Sequence, residues 1–104
     1  MTEKGQDKPE AGAKYIDLTA EFIDFEEREV RATHSFRKPN PQQLSRANKE
    51  AQKDPERAFK NLLTQLIHPD KAEAFKAVVA DYPGVATSFA NEIYKRMGYD
   101  SLGK

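Results

Sequence analysis

The chain has 104 residues, 38% hydrophobic and 33% charged, with a formal net charge of zero and no cysteine. That length suits one domain, and the balanced charge argues against a dedicated nucleic-acid or membrane-surface binder. No cysteine means no disulfide and no thiolate metal site, as in a reducing cytoplasm. No apolar run approaches the roughly 18 residues needed to cross a bilayer, and Met1–Pro9 lacks the apolar stretch of a secretory signal.

Residues 1–13 are Gly, Pro, Ala and charged side chains with almost nothing to bury, which predicts a disordered tail. Residues 14–98 are expected to form a single α+β domain, β-rich over 14–39 and helical over 40–98, with a flexible C-terminus from 99 to 104. Lys14-Tyr15-Ile16-Asp17-Leu18 suits a short strand, and Phe22-Ile23-Asp24-Phe25 fits strand or helix equally. Residues 28–37 are clearer, because Val30, Ala32, His34 and Phe36 alternate with polar neighbours. A period of two marks a half-buried strand, and Pro39 and Pro41 end it.

From there prolines stand at 41, 55, 69 and 83, each opening a predicted helix. Proline is favoured at the first helical position, where its missing N–H has no partner to lose. Asn40 and Asp54 precede the first two as N-caps. The second helix offers Ala58, Phe59, Leu62, Leu63, Leu66 and Ile67 on one face, the third Phe75, Val78, Val79 and Tyr82. The fourth offers Val85, Ala86, Phe89, Ala90, Ile93, Tyr94 and Met97, all at helical spacing. The first has only Leu44, Ala47 and Ala51, so it belongs at the edge, and Gly98 suits a C-cap. The predicted fold is an N-terminal strand pair or hairpin followed by a compact cluster of four short helices. Phe59, Leu63, Phe75, Val79, Phe89 and Ile93 are its expected core.

Charge is unevenly placed: residues 1–29 hold nine acidic and four basic side chains, and residues 37–60 seven basic and three acidic. The two regions are suited to attract each other, within one copy or between copies. His68-Pro69-Asp70 resembles the signature of J-domains, co-chaperones of Hsp70, but the basic second helix and long third helix of that family have no counterpart here. A helix start explains the same string, with Pro69 first and Asp70 complementing the positive helix end. His34 falls on an apolar strand face, where a packed, hydrogen-bonded role is expected. With two histidines and scattered glycines, no spacing suggests catalysis, a metal site or a phosphate loop. The basic run from Arg37 to Lys60 lacks interleaved aromatic residues for stacking on bases.

The order of features over residues 30–98 resembles the tail assembly chaperones of siphophages and prophages. The matching positions are a strand ending in Phe36-Arg37-Lys38-Pro39, a polar helix around Leu44, Arg46 and Lys49, then Asn61-Leu62-Leu63 and Ile67-His68-Pro69-Asp70. Tyr82-Pro83-Gly84-Val85, Asn91-Glu92-Ile93 and Met97-Gly98 complete the pattern. The acidic segment before residue 30 is not part of it. The resemblance implies a non-catalytic, cofactor-free assembly factor in the bacterial host cytoplasm. It would bind an amphipathic helical partner, the tape-measure protein, or tail-tube subunits, and self-associate. Phe36, Arg37, Lys38, Arg46 and Lys49 are the expected protein-binding residues. A J-domain-like co-chaperone and a generic small adaptor are the alternatives.

Overall fold

Strict alternation of apolar and polar side chains organises the first third of the described chain. The computed structural model describes residues 14–99. The first strand, β1, runs Tyr15–Ile23 and pairs antiparallel with β2, Glu29–Arg37, in a two-stranded hairpin. The register sets Ile16 opposite Phe36, Leu18 opposite His34, Ala20 opposite Ala32 and Phe22 opposite Val30. All eight point to one face, because side chains of a strand alternate. β1 is thus longer than the segment expected from Lys14 to Leu18; Ala20 and Phe22 continue its alternation, and the ambiguous run from Phe22 splits into strand and turn. The outer face is polar: Thr19 and Thr33 hydroxyls bond at 2.9 Å, and Arg31 pairs with Glu21 at 3.2 Å.

The four helices follow the prolines. Helix α1 is Pro41–Ala51, α2 Pro55–Leu66, α3 Ala72–Asp81 and α4 Gly84–Arg96. Asn40 caps α1 reciprocally: its side chain accepts from the Gln43 amide at 2.8 Å, and the Gln43 side chain accepts from the Asn40 amide at 2.9 Å. Asp54 accepts from the Arg57 amide and caps α2. Pro69 opens a single 3₁₀ turn, Pro69–Lys71, rather than α3 itself, and Pro83 caps α4 from outside. Gly98 ends α4 at φ 97, a left-handed conformation that favours glycine. Its amide donates to the Lys95 carbonyl and the Tyr99 amide to that of Tyr94, which together form a Schellman cap.

That cap corrects the C-terminal boundary expected at residue 98: Tyr99 packs against Tyr94 with ring centroids 5.3 Å apart and belongs to the domain. The tail expected over 1–13 and the end from 100 to 104 lie outside the described residues.

The core lies between the inner face of the hairpin and the helices. Phe36, Phe75 and Phe89 form a triangle with centroids 5.2–6.1 Å apart. Leu62, Leu63 and Leu66 of α2 and Tyr94 of α4 are fully buried, and all six expected core residues belong to this cluster. The Tyr94 hydroxyl reaches Asn48 of α1 at 2.8 Å and satisfies its polar end. At the far end of α2, Ile67 bridges to Phe36, and the His68 amide donates to the Ser35 carbonyl at 2.8 Å. The helical cluster is thereby fastened to the edge of β2. No helix among the described residues is long and apolar enough to cross a membrane.

Candidate functional site

The hairpin has two ends of different character. At its base, where Tyr15 faces Arg37, a groove of about 350 Å³ opens between the sheet and the end of α4. Its floor is Ile16, Pro39, Ile93 and Met97 over the buried Phe36; its rim carries Lys14, Arg37, Lys38 and Arg96. Three of the nominated residues, Phe36, Arg37 and Lys38, therefore meet here. The other two do not. Arg46 lines a neighbouring, more polar cleft that it shares with Arg37, Gln42, Thr64 and Lys76, and Lys49 stands on another side of α1 beside Tyr99. Phe36 also needs correcting as a contact residue. At 1% exposure it is core, and a partner would touch only the floor it supports.

At the opposite end, the strands close through residues 24–28, and here the sequence reading missed a feature. Phe25 is fully exposed, at 101%, and Ile23 is 62% exposed; among the described residues these are the exposed large hydrophobic side chains. They border a groove of about 720 Å³ between β1 and the start of α4. Half-buried Phe22 and Tyr82 give it apolar surface over the buried Leu18, Val85 and Phe89, and Glu21, Asp24, Asp81 and Glu92 are the charged residues along it. The charged residues lining the two grooves thus differ in sign, cationic at the base and anionic at the tip, with Glu21, Asp24 and Glu92 paired to Arg31, Arg28 and Arg96.

Asp24 builds the tip. One carboxylate oxygen, Oδ1, accepts from the amides of Glu26 and Arg28, both at 2.9 Å. The other accepts from Arg28 Nε at 3.2 Å and from the Tyr82 hydroxyl at 3.0 Å. These bonds favour the ionised form, the Arg28 amide foremost, and hold the Asp24 carboxyl below its ordinary range despite burial; the same contact pushes the Tyr82 phenol up. Glu27 takes a positive φ of 66, and its amide donates to the Asp24 carbonyl. The loop is therefore anchored from within and tied to α3 through Tyr82, whose ring also meets Phe22 edge-on at 5.1 Å. With the backbone held this way, Phe25 is presented to solvent by an ordered loop. A signal existed in the sequence: an apolar residue between two acidic ones, in a segment where the strand alternation breaks off.

The histidines are structural. His34 is buried edge-on against Phe75 and Phe89, at 5.4 and 5.8 Å, and its Nδ1 has no hydrogen-bond partner among the described residues. It is packed as expected but lacks the expected bond at that nitrogen. Burial, with the Lys71 charge second, holds its pKa below the ordinary value. His68 packs against Tyr15 at a tilt, with ring centroids 4.6 Å apart, and its Nδ1 accepts from the Asp70 amide at 3.1 Å. The imidazole is the cap of the 3₁₀ turn, so the His68-Pro69-Asp70 string has a complete local use. Among the described residues no group of three or more His, Asp or Glu side chains is placed to hold a metal ion.

A family model described as a domain of unknown function, DUF6848, matches residues 7–102, and the chain belongs to that family. No protein of curated function matches. Among solved structures, an uncharacterised protein from Bacillus stearothermophilus is similar with a TM-score of 0.68 and 20% identity. The match covers 86% of this chain and 88% of that one. At that identity the likeness shows a shared fold.

Proposed function

We propose that this member of the DUF6848 family is a non-catalytic binding protein of the tail-assembly-chaperone type. It acts in the cytoplasm of a bacterial host, without a cofactor, and holds an amphipathic helical segment of a long partner. The observation that carries the binding half of this reading is the exposed Ile23 and Phe25 pair at the mouth of the β1–α4 groove. Aromatic residues presented at the edge of an apolar depression are the usual anchors of protein interfaces, and exposed apolar patches on small domains mark such sites. Helix-in-groove docking uses this arrangement, an apolar stripe on the guest and a preformed cleft on the host.

The nature of the guest rests on the resemblance of residues 30–98 to tail assembly chaperones, which makes a tape-measure protein the client. The acidic rim adds a chemical condition: the client segment should carry basic residues beside its apolar stripe. The titratable groups with displaced pKa values support a non-catalytic role, since Asp24, His34, Tyr82 and Tyr94 are all engaged in packing or loop structure. The cations once expected at the site, Arg46 and Lys49, lie elsewhere and would affect encounter rate rather than the contact itself.

Co-expression with a long helical tape-measure protein tests the reading. The partner's soluble fraction should rise with the wild-type protein, and Ile23→Ser/Phe25→Ser should lose most of that gain. No gain in solubility and no co-purification at low salt would overturn it.

A further inference from the structure

We propose that copies of this protein associate head to tail, the Phe25 tip of one seating in the cation-rimmed groove at the hairpin base of the next. The tip offers a fully exposed aromatic ring followed directly by Glu26 and Glu27. The base offers an apolar floor of Ile16, Pro39, Ile93 and Met97 beneath exposed Lys14 and Lys38. An aromatic knob followed by the Glu27 carboxylate thus meets an apolar depression flanked by the Lys14 and Lys38 ammonium groups, and the two are complementary in polarity and in charge. Buried aromatic anchors carry most of the energy of such contacts, and opposed charges fix orientation and speed the encounter.

The knob and the groove cannot meet within one molecule. They stand at opposite ends of strands nine residues long, about 30 Å apart at roughly 3.3 Å per residue. At the base Arg96 pairs with Glu92 and Arg37 bonds the Gln65 carbonyl, and at the tip Glu26 pairs with Arg28; a second copy brings Glu27 to Lys14 and Lys38. The chain's own first 13 residues are a poorer occupant of the base groove, because Met1 is their one large apolar side chain. The contact uses different surfaces on the two copies, so every open assembly has a free knob and a free groove at its ends and either closes into a ring or grows as a filament. This inference does not depend on the client reading, although both use Phe25; only the receiving groove is separate from the β1–α4 groove.

The test uses the full chain and sedimentation equilibrium. A small contact of this kind belongs to the weak class of interfaces, so loading should reach about 1 mM. Average mass should rise with concentration and fall back between about 0.1 and 1 M salt, where the Debye length shrinks from about 10 to 3 Å. Phe25→Ser removes the knob and Lys14→Glu/Lys38→Glu spoils the groove; each variant alone should be monomeric, with unchanged circular dichroism. Mixed, they should form a 1:1 dimer and nothing larger, since one retains a sound groove and the other a sound knob. A wild-type protein that stays monomeric, a Phe25→Ser variant that associates like wild type, or a mixture that remains monomeric would each overturn the proposal. Retained client capture by Lys14→Glu/Lys38→Glu, alongside lost self-association, separates this contact from the client groove.

Discussion

The base and the tip of the hairpin are ordered by opposite means. At the base, Phe36 is buried in a triangle of aromatic rings, and β2 is pinned by Ile67 and the His68 amide. Apolar side chains there supply the order, and mainly cations are left for a partner to meet. At the tip one carboxylate does the ordering, through bonds to two amides, Arg28 and Tyr82. Because a polar network holds the loop, Phe25 is not needed for packing and stands in water. The difference teaches that an exposed aromatic residue is informative when its backbone is fixed. A rigid anchor loses little conformational entropy on binding, whereas a floppy one loses much of its gain.

The largest effect should come from breaking the base. Phe36→Ala deletes a ring at the centre of the core and should cost about 3–5 kcal/mol, much of the 5–15 kcal/mol that holds a typical domain together. Urea unfolding measures it, and a loss below about 1 kcal/mol would mean that the ring triangle does not exist. Breaking the tip should be a local event. Asp24→Ala should abolish hydrogen-exchange protection at the Glu26 and Arg28 amides while amides inside α2 and α4 keep theirs. Equal loss throughout would show that the tip is no separate unit.

Acid should separate the two ends by pH. His34, behind the sheet, has a folded pKa below its ordinary 6.5, so the unfolded chain takes up a proton first. Its contribution is complete above pH 6.5 and is lost as pH falls from there to the lower folded value. Asp24 is also depressed, from an ordinary 3.8. Its contribution is complete above that value and is lost below it, as pH falls through the folded pKa. Melting temperature should therefore drop in two stages, with His34→Leu flattening the first and Asp24→Asn the second. A single stage unaffected by His34→Leu would contradict the assignment.

Smaller effects sharpen the contrast. Tyr94→Phe removes only the bond to Asn48 and should cost about 0.5–1.5 kcal/mol, the net worth of one hydrogen bond. Phe25→Ser should change stability by no more than about 0.5 kcal/mol, as for other exposed positions. If Phe25→Ser costs as much as Tyr94→Phe or more, its ring is packed and cannot be a free anchor.

Much of the architecture was legible in the residue order, for reasons that are local. Alternation from Val30 to Phe36 requires a strand with one buried face, and proline after a capping Asn or Asp starts a helix whatever surrounds it. Apolar spacing in α2 and α4 picked out the buried faces because side chains three and four apart share one side of a helix. Gly98 was legible as a cap, but the order of Tyr99 was not, since it depends on the Tyr94 ring beneath it. The nominated binding residues fared unevenly for the same reason. Phe36, Arg37 and Lys38 are consecutive and had to lie near one another, whereas Arg46 and Lys49 share their charge but not their location.

The sequence by itself determined the second strand, the helical stretches, the caps at Asn40, Asp54 and Gly98, and the apolar faces that form the core, because each depends on neighbours within about one helical turn or one strand. Only the tertiary structure decided that Asp24 reaches Tyr82, 58 residues away, and that Phe25 is left outside while Phe22 turns in. It also decided that Lys14, Lys38 and Arg96 ring one groove. Those facts depend on how the hairpin docks onto α3 and α4, and docking is set by the summed fit of the whole core, which no short stretch of residues encodes.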